Sequence, residues 1–402
     1  MSPADVIVAG GGSAGIAAAL VAARAGARTL LLERGDRPGG MGSLAQVHTF
    51  CGLFHPDVTR AWAWLNSGLP EEVGRLMMAR TGQTAPDLMG RVYVLRQSPA
   101  HFASLAAELC DREPNLTRLH GWEWSGLQRA DMGWRLEVRD GRQKRSLETR
   151  ALVDATGDAT GARLANPAWL QPPPSCLYRP AYIGAFTQIG SPRDETWRLQ
   201  LAAAMARGVG TGELPTAALG AAFRESPLTG EVFVTIDLEA GGSDWDPLDP
   251  ARHDAALAEG RSVLDALGSW LRTHHPDFAQ TPPPRHPDRL GVRESACYAG
   301  DYLLRGDELA TCRRFPDEVA LAGWPMERRE TARGPKFRYF DRPEPAGIPA
   351  GCLRRADAPG LFFAGRCLSA DHEALASVRV MGTCLATGQA AGRLAAAWAE
   401  AV

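Results

Sequence analysis

The sequence predicts an α/β fold in which a parallel sheet carries an antiparallel β-meander and is interrupted by an α+β insertion. Three observations predict it. A strand–helix–strand pattern opens the chain, short alternating segments follow at residues 115–154, and proline-rich pieces at 171–174 and 281–284 bracket a middle segment of different character. The chain has 402 residues, which at roughly 100–200 residues per domain is enough for two or three domains.

The first predicted unit is a βαβ arrangement. Asp5–Gly10 predicts a short buried strand, and Ser13–Ala27 predicts an alanine-rich helix that Gly26 closes. Thr29–Leu32 predicts a second strand, which Glu33 ends. The turn between strand and helix has the spacing G-x-G-x-x-G, with this acidic residue about 20 positions beyond it. The context predicts a Rossmann-type, dinucleotide-binding unit.

Each glycine of that turn has a physical role. Gly10 permits the tight turn, Gly12 lets the backbone approach a pyrophosphate, and Gly15 lets helix and strand pack closely. The phosphates would lie at the helix N-terminus, where free N–H groups and the helix dipole favour negative charge. Glu33 is expected to bond ribose hydroxyls, and its charge disfavours a 2′-phosphate, so NADP is not expected here.

Two later segments favour FAD over NAD. The segment RPGGMG (37–42) places a glycine pair soon after the ribose acid. Residues 115–154 predict a small antiparallel meander that returns to a buried strand, Ala151–Asp154, followed by an A-T-G-D turn at 155–158. Both resemble features of the glutathione-reductase-like flavoproteins, in which they lie beside FAD.

The last third of the sequence adds a more specific resemblance. Residues 290–304 predict a strand that leads into a polar turn, Gly360–Gly365 a buried strand with a glycine turn, and Val380–Ala399 a long helix. The pattern A-G-R-C-x-S-x-x-H-x-A-x-x-S-x-R-V-M-x-T-C at 364–384 resembles the broad family of FAD-dependent oxidoreductases within that superfamily. The middle of the chain matches poorly, so the resemblance implies no substrate.

A substrate domain is expected to be inserted into the FAD-binding domain. Alternating runs and helical patterns in the middle of the chain predict strands near 182–189 and 231–238 and helices near 195–207 and 251–273. The expected divisions are 1–170 for the N-terminal part of the FAD-binding domain, 171–290 for the substrate or cap domain, and 291–402 for the part that returns to the FAD-binding domain.

The resemblance implies where FAD is held. The strand that ends at Gly365 returns the chain to FAD, and the last helix points its N-terminus at N1 and the C2 oxygen of the flavin. Reduction puts negative charge there, which a helix N-terminus stabilises by roughly 0.3–1 kcal/mol, and by up to about 2 where buried. The expected cofactor contacts are Gly10, Gly12, Ser13, Ala14, Gly15, Glu33, Arg34, Gly40, Met41, Ala155, Gly157, Gly365, Arg366, Val380, Met381 and Thr383.

The sequence also bears on the electron donor. A second G-x-G-x-x-G after a strand is absent, and the Gly208-x-Gly210-x-Gly212 segment follows a helical pattern and is expected to be a loop. The eight cysteines include no C-x-x-C pair, so neither disulfide reduction nor a metal site is expected. We therefore expect the substrate to reduce the flavin by hydride transfer, with oxygen or another acceptor reoxidising it, as in an oxidase or dehydrogenase.

Three residues are candidate catalytic groups. His372 is a candidate general base or else a helix-entry histidine, and Arg379 would bind a substrate carboxylate or else form a structural ion pair. His48 is a candidate second base, a covalent flavin link or a packing residue. Arg293 and Glu294, with Tyr302, line the substrate side or form buried pairs.

The leading hypothesis is oxidation of a C–H bond next to a heteroatom. An amine of an amino-acid-like group is preferred to an alcohol, because His and Arg near the ring suit an amino acid. The resemblance also implies that the substrate can be attached to a larger molecule. A flavin-binding protein without turnover is a rival hypothesis, against which His48, His372 and Arg379 argue.

The alternative from another class is a flavoenzyme of nucleic-acid base modification. A net charge of −2 argues against strong phosphate binding. A basic cluster keeps this alternative open; its members are Arg313, Arg314, Arg328, Arg329, Arg333 and Lys336. No targeting signal or membrane-spanning apolar run of about 18–20 residues is visible, so a cytoplasmic location is expected.

Overall fold

Helices and strands alternate over the first part of the chain, from β1 to α3. The computed structural model describes residues 4–190, 195–240, 242–331 and 334–402. The strands are β1 (Ala4–Ala9), β2 (Thr29–Glu33), β3 (Thr49–Phe50), β4 (Asp87–Met89), β5 (Val92–Arg96), β6 (Leu116–His120), β7 (Glu123–Ala130), β8 (Gly133–Arg139), β9 (Lys144–Asp154), β10 (Ala181–Phe186), β11 (Ala222–Glu225), β12 (Val232–Asp237), β13 (Glu318–Ala322), β14 (Met326–Arg328), β15 (Lys336–Arg338), β16 (Ala346–Pro349) and β17 (Leu361–Phe363). The helices are α1 (Ser13–Arg24), α2 (Met41–Leu44), α3 (Leu69–Thr81), α4 (Pro99–Asp111), α5 (Thr160–Ala165), α6 (Glu195–Gly210), α7 (Pro250–His274), α8 (Gly306–Ala310), α9 (His372–Val378) and α10 (Met381–Ala401).

The main sheet has the order β6-β2-β1-β9-β8-β7, with β17 beside β9. β1 runs parallel to β2 and to β9, and β17 runs parallel to β9. The side chains of β2 and β17 are buried throughout, as expected of parallel strands that are covered on both faces. The predicted parallel sheet with an antiparallel meander is confirmed.

One long strand joins the meander to the parallel sheet. β9 pairs antiparallel with β8 over its first half and parallel with β1 over its second half. The third meander strand and the predicted strand Ala151–Asp154 are therefore a single element, because the backbone ladder continues without a turn. β9 ends beside the carboxyl end of β1, so the A-T-G-D turn that follows β9 lies at this edge of the sheet.

Small residues allow α1 and α10 to pack closely. A Cβ atom on Gly388 would overlap the carbonyl oxygen of Ala14, and one on Gly392 would overlap that of Ala18. The contact brings the C-terminal helix onto the first helix of the chain, so both helices begin at the same side of the sheet. Through this packing, the last third of the chain lies against the first third.

We expect Gly388→Ala to lower the free energy of unfolding by about 1–3 kcal/mol, because the added methyl overpacks the contact between α1 and α10. Urea unfolding measures the change. Gly210→Ala is the matched control: its Cβ would meet no heavy atom within 4 Å, so a change under about 1 kcal/mol is expected. Equal effects of the two substitutions would contradict the close packing.

The middle of the chain forms a smaller antiparallel sheet in the order β10-β12-β11. One face packs against α6 and α7 in a separate apolar core that includes Tyr182, Val234 and Leu264. The other face carries Ala181, Ile183, Ala185 and Phe233 and packs against Val47. The predicted strands and helices of an α+β insertion are confirmed, whereas the domain boundaries at residues 170 and 290 stay a prediction.

Two local predictions were wrong. Residues 290–304 form no strand; Gly291, Tyr298 and Leu304 make isolated bridges to three different partners, so no ladder develops. The helix α6 continues through Gly208 and Gly210, where a loop was expected, because Gly208 leaves room for the ring of Trp270.

Candidate active site

A cavity of about 1330 Å³ lies between the N-terminal ends of α1 and α10 and the small antiparallel sheet. Most of the residues predicted from the sequence line it. Those are Gly10, Gly12, Ser13, Ala14, Glu33, Arg34, Gly40, Met41, His48, Ala155, Gly157, Gly365, Arg366, Arg379, Val380 and Met381. Gly15, Thr383 and His372 are not among the lining residues.

The glycine turns leave a groove that side chains would fill. Gly10 has a φ of +103°, and a Cβ there would lie 2.5 Å from the carbonyl oxygen of Ala155, so the turn and the A-T-G-D segment touch through backbone. Gly12 is different: its φ is ordinary, and a Cβ would come no closer than 3.9 Å to Gly40. Among the described residues, no other atom approaches that position, so the space in front of Gly12 fits a pyrophosphate.

Two helix N-termini face the cavity without side-chain caps among the described residues. α1 begins after Gly12 and α10 begins after Val380, and neither has an acidic residue in its first turn. Their free N–H groups and positive dipole ends favour negative charge in the cavity. This donor set fits phosphate at α1 and the charge of a reduced flavin at α10.

The carboxylate of Glu33 is fixed by backbone. Oε2 accepts a hydrogen bond from the N–H of Gly11 at 2.7 Å, and Oε1 accepts one from the N–H of Gly35 at 2.6 Å. The side chain is buried and lies at the cavity wall. An acid held in this way fits the hydroxyl groups of a ribose.

The A-T-G-D turn carries an ion pair with the last strand–helix connection. Arg366 donates to Asp158 and to Ser295 Oγ, both at 2.8 Å, and Arg34 lies 3.9 Å from the same carboxylate. Burial raises the pKa of Asp158, but Arg366 and Arg34 outweigh burial and hold that pKa below its usual value. The ion pair joins the A-T-G-D turn to the A-G-R-C segment (364–367) at one wall of the cavity.

Gly15 and Thr383 were predicted to contact the cofactor but lie behind the cavity wall. A Cβ on Gly15 would overlap the carbonyl oxygen of Gly10, so Gly15 serves the close approach of helix and strand. Thr383 is fully buried in the first turn of α10, and its Oγ1 has no hydrogen-bond partner in the described part of the chain.

His48 lies in the cavity wall as a buried imidazole. It stacks on Phe233, with ring centroids 4.7 Å apart and an angle of 5°. Its Nδ1 lies 3.3 Å from the carbonyl oxygen of Gln46, which selects the Nδ1–H tautomer and leaves Nε2 as an acceptor. Burial is the largest cause that lowers the pKa of His48 to about 4; the hydrogen bond to Gln46 opposes this shift and the charge of Arg224 adds to it. The imidazole is therefore neutral near pH 7.

The low pKa of His48 predicts a pH-dependent stability. An unfolded histidine has a pKa of about 6.5, so between that value and about 4 the unfolded chain binds a proton that the native chain does not. The free energy of unfolding should fall as pH is lowered, with His48 contributing about 2 kcal/mol between pH 7 and pH 5. Urea unfolding of wild type and His48→Asn, with FAD saturating, tests it. An identical pH dependence in both proteins would contradict it.

An arginine-rich network lines the same cavity. Arg293 and Arg329 each donate to one oxygen of Asp237, at 2.7 and 2.5 Å, and Arg329 also donates to Glu327 at 2.6 Å. Arg379 donates to the carbonyl oxygen of Glu327 at 3.0 Å, while its Nε has no partner among the described residues. Arg293 lies in the cavity wall and also forms the buried ion pair that was its alternative role, so its contact with substrate stays a prediction.

His372 belongs to a separate cluster. Its Nδ1 is 2.8 Å from Glu294 Oε1, and its ring stacks on Tyr178 with centroids 4.1 Å apart. The other oxygen of Glu294 accepts from the backbone N–H of Tyr178. Tyr302 bonds Glu308. His372, Glu294 and Tyr302 are not among the residues that line the cavity, and the bonds of Glu294 and Tyr302 match the paired alternative that the sequence left open for them.

Sequence reasoning missed Arg224, which lines the cavity from β11. It missed Glu327 as well and treated Arg329 as part of a surface cluster. Alternation along β11 is the one signal that was available, since Phe223 packs in the core and its neighbours must face the other way. The pairing of β11 with β12 is needed to show that the face of β11 that carries Arg224 turns toward the cavity.

The basic cluster is largely matched by acids. Arg313 pairs with Glu308, Arg314 with Glu318, and Arg329 with Asp237 and Glu327. Arg333 lies outside the described residues. This pairing leaves little free positive charge for phosphates and does not favour the nucleic-acid alternative.

In the described ranges, no cluster of three or more His, Cys, Asp or Glu residues is arranged to hold a metal ion. The eight cysteines are free, and burial raises the pKa of Cys51, at the cavity wall, well above its usual value. Within the same ranges, none of the helices has the length and apolar character to cross a membrane.

Comparison with known proteins identifies the family. The profile described as "FAD dependent oxidoreductase" matches residues 5–401. The chain belongs to this family. The protein is therefore an FAD-dependent oxidoreductase with FAD as its cofactor, and the glycine groove, Glu33 and the two uncapped helix N-termini fit that cofactor. No curated protein matches the chain.

Solved structures with a similar arrangement are distant in sequence. A flavoprotein/dehydrogenase from Cytophaga hutchinsonii is 12% identical, with 100% of this chain and 79% of that chain covered and a TM-score of 0.46. A geranylgeranyl bacteriochlorophyll reductase-like protein from Thermoplasma acidophilum is 12% identical, with 99% and 79% covered and a TM-score of 0.45. The anhydrotetracycline hydroxylase OxyS from Streptomyces rimosus is 16% identical, with 75% of this oxidoreductase covered but only 54% of that chain, and a TM-score of 0.41. The activities named are those of the other proteins.

Proposed function

We propose that this oxidoreductase oxidises a C–H bond next to an amine or an alcohol, with the substrate itself as the hydride donor. The observation that carries the proposal is His48, a neutral imidazole in the cavity wall whose Nε2 is an acceptor. Because this imidazole is neutral near pH 7, its Nε2 is free to accept an N–H or O–H proton as the neighbouring carbon loses hydride. We also propose that the protein belongs to the glutathione-reductase-like superfamily and acts in the cytoplasm, since its eight free cysteines suit a reducing compartment.

The cofactor would be held along the cavity from α1 to α10. We propose that Gly12, Ser13 and Ala14 face the pyrophosphate and that Glu33 binds the ribose. Val380 and Met381, at the start of α10, would lie beside the flavin. The remaining proposed contacts are Gly10, Arg34, Gly40, Met41, Ala155, Gly157, Gly365 and Arg366, with Gly15 and Thr383 supporting them from behind.

Bound FAD supplies the acceptor for a hydride and its two electrons. The proton is taken up by a side chain of the protein. Nε2 of His48 accepts the proton of the substrate N–H or O–H as a C=N or C=O bond forms. Oxygen, or another two-electron acceptor, completes the turnover. The proton then leaves His48 readily, because the low pKa of this histidine disfavours the imidazolium.

We propose different roles for the other two candidates. Arg379, with its unpartnered Nε, would bind a polar group of the substrate in the cavity. His372 would act as a positioning residue, because it holds Glu294 and stacks on Tyr178, over whose ring Arg379 lies at 5.6 Å. We therefore expect His48 to contribute more to proton removal than His372 does.

The proposal is tested by anaerobic reduction of the purified FAD-loaded protein. Amino acids, other amines and alcohols are added separately, and bleaching of the flavin is followed by absorbance. At least one of these classes should bleach the flavin completely, with formation of an imine-derived or ketone product in equal amount. Reduction that consumes no C–H bond of the added compound would overturn the proposal.

A further inference from the structure

We infer that the substrate is a 2-amino or 2-hydroxy carboxylic acid whose carboxylate is bound by Arg224 on β11, next to His48. This inference rests on the proposed function and names the substrate class of the same site. It adds a residue from the inserted sheet, whereas the cofactor motifs come from the first and last thirds of the chain.

The register of the small sheet brings Arg224 to the base. Arg224 pairs with Phe233 across β11 and β12, and directly opposite residues have Cβ atoms about 4.5–5.5 Å apart. The ring of Phe233 is the one on which His48 stacks. Both Arg224 and His48 line the cavity. A guanidinium and an imidazole that share one neighbour can contact adjacent groups of a single small molecule.

The guanidinium of Arg224 has no acidic partner. Within the described part of the chain, its hydrogen bond goes to the carbonyl oxygen of Phe223 at 2.9 Å, and no carboxylate lies within ion-pair distance. Arg293 and Arg329, by contrast, share Asp237. Arg293 and Arg329 thus pair with the carboxylates of Asp237 and Glu327, whereas Arg224 and Arg379 form no ion pair within the described residues, and this excess of positive charge in the cavity wall favours an anionic ligand.

Another part of the cavity wall is apolar. Met89, Val92, Trp324 and Tyr339 belong to one hydrophobic cluster and line the same cavity, together with Val380 at the start of α10. A carboxylate bound at Arg224, a reacting amine or hydroxyl at His48 and an apolar body against this wall describe an amphipathic 2-substituted acid. A simple amine or alcohol without a carboxylate would leave the Arg224 guanidinium unmatched.

The test is a binding titration on the FAD-loaded protein with benzoate as the probe and benzamide, its neutral isostere, as the comparison. Binding is followed by the change in the visible spectrum of the flavin, and FAD content is measured separately for every variant. The variants are Arg224→Gln and Arg224→Lys. Arg314→Gln removes the same charge at an exposed position paired with Glu318 and is the matched control.

Wild type and Arg314→Gln should bind benzoate and not benzamide, and Arg224→Gln should weaken benzoate binding about 10- to 100-fold with FAD content unchanged. Arg224→Lys should restore part of the affinity. Equal benzoate affinity in wild type and Arg224→Gln would overturn the inference, as would equal affinity for benzamide. A parallel loss of FAD in Arg224→Gln would also overturn it, because the guanidinium would then serve the cofactor. Failure of the anaerobic reduction described above would reject the proposed function, whatever the titration shows.

Discussion

Gly12→Val should abolish FAD binding while leaving the protein folded. The backbone at Gly12 has a φ of −76°, which any L-residue adopts, and a Cβ there would meet no protein atom closer than 3.9 Å. The valine side chain would instead occupy the space in front of the α1 N-terminus, where the pyrophosphate is expected. The protein should still fold, because the valine side chain would fill space that the cofactor occupies and not space that other side chains occupy.

Two measurements separate cofactor loss from unfolding. The ratio of flavin absorbance to protein absorbance gives FAD content, and circular dichroism with urea unfolding of the apoproteins reports the fold. Gly210→Val, at the end of α6 and with no heavy atom within 4 Å of its Cβ, is the matched control and should keep its FAD. Stoichiometric FAD in folded Gly12→Val would show that the pyrophosphate lies elsewhere.

His48→Asn should slow reduction of the flavin by the substrate about 10²- to 10⁴-fold, the usual contribution of a positioned general base. Asparagine keeps a polar group near the carbonyl oxygen of Gln46 and lacks the basic Nε2. Anaerobic stopped-flow absorbance, with whichever amine or alcohol bleaches the wild-type flavin fastest, measures the rate. FAD content should stay at the wild-type level.

His372→Asn is the comparison for that experiment. Because His372 bonds Glu294 and lies outside the cavity lining, its replacement should slow reduction less than His48→Asn does. A larger loss in His372→Asn, with His48→Asn near the wild-type rate, would reverse the assignment of the base. Such a result would return the role to the position first favoured by the terminal sequence motif.

The cofactor half of the site could be predicted from the sequence because its signals are local. The turn at Gly10 and Gly12 depends on backbone conformation within a few residues, and Glu33 follows one helix later. The helix α10 begins within one residue of its predicted start. Each signal couples a short stretch of chain to one structural requirement, so neighbouring residues suffice to recognise it.

The substrate half depends on pairings between distant segments. The place of Arg224 follows from the register of β11 on β12, and Asp237 gathers Arg293 and Arg329 from segments far along the chain. Residues 290–304 were predicted as a strand from their apolar pattern, yet their polar groups bond to other elements. No local pattern reports such contacts, which is why Arg224 was missed.

The most direct test of the central claim compares electron donors. The FAD-loaded protein is mixed anaerobically with NADH, with NADPH and with 2-amino and 2-hydroxy acids, and the rate of flavin bleaching is recorded for each. Our account predicts rapid bleaching by a 2-substituted acid and only slow bleaching by either nicotinamide. Rapid bleaching by NADH or NADPH, with none by the acids, would contradict the claim that the substrate is the hydride donor.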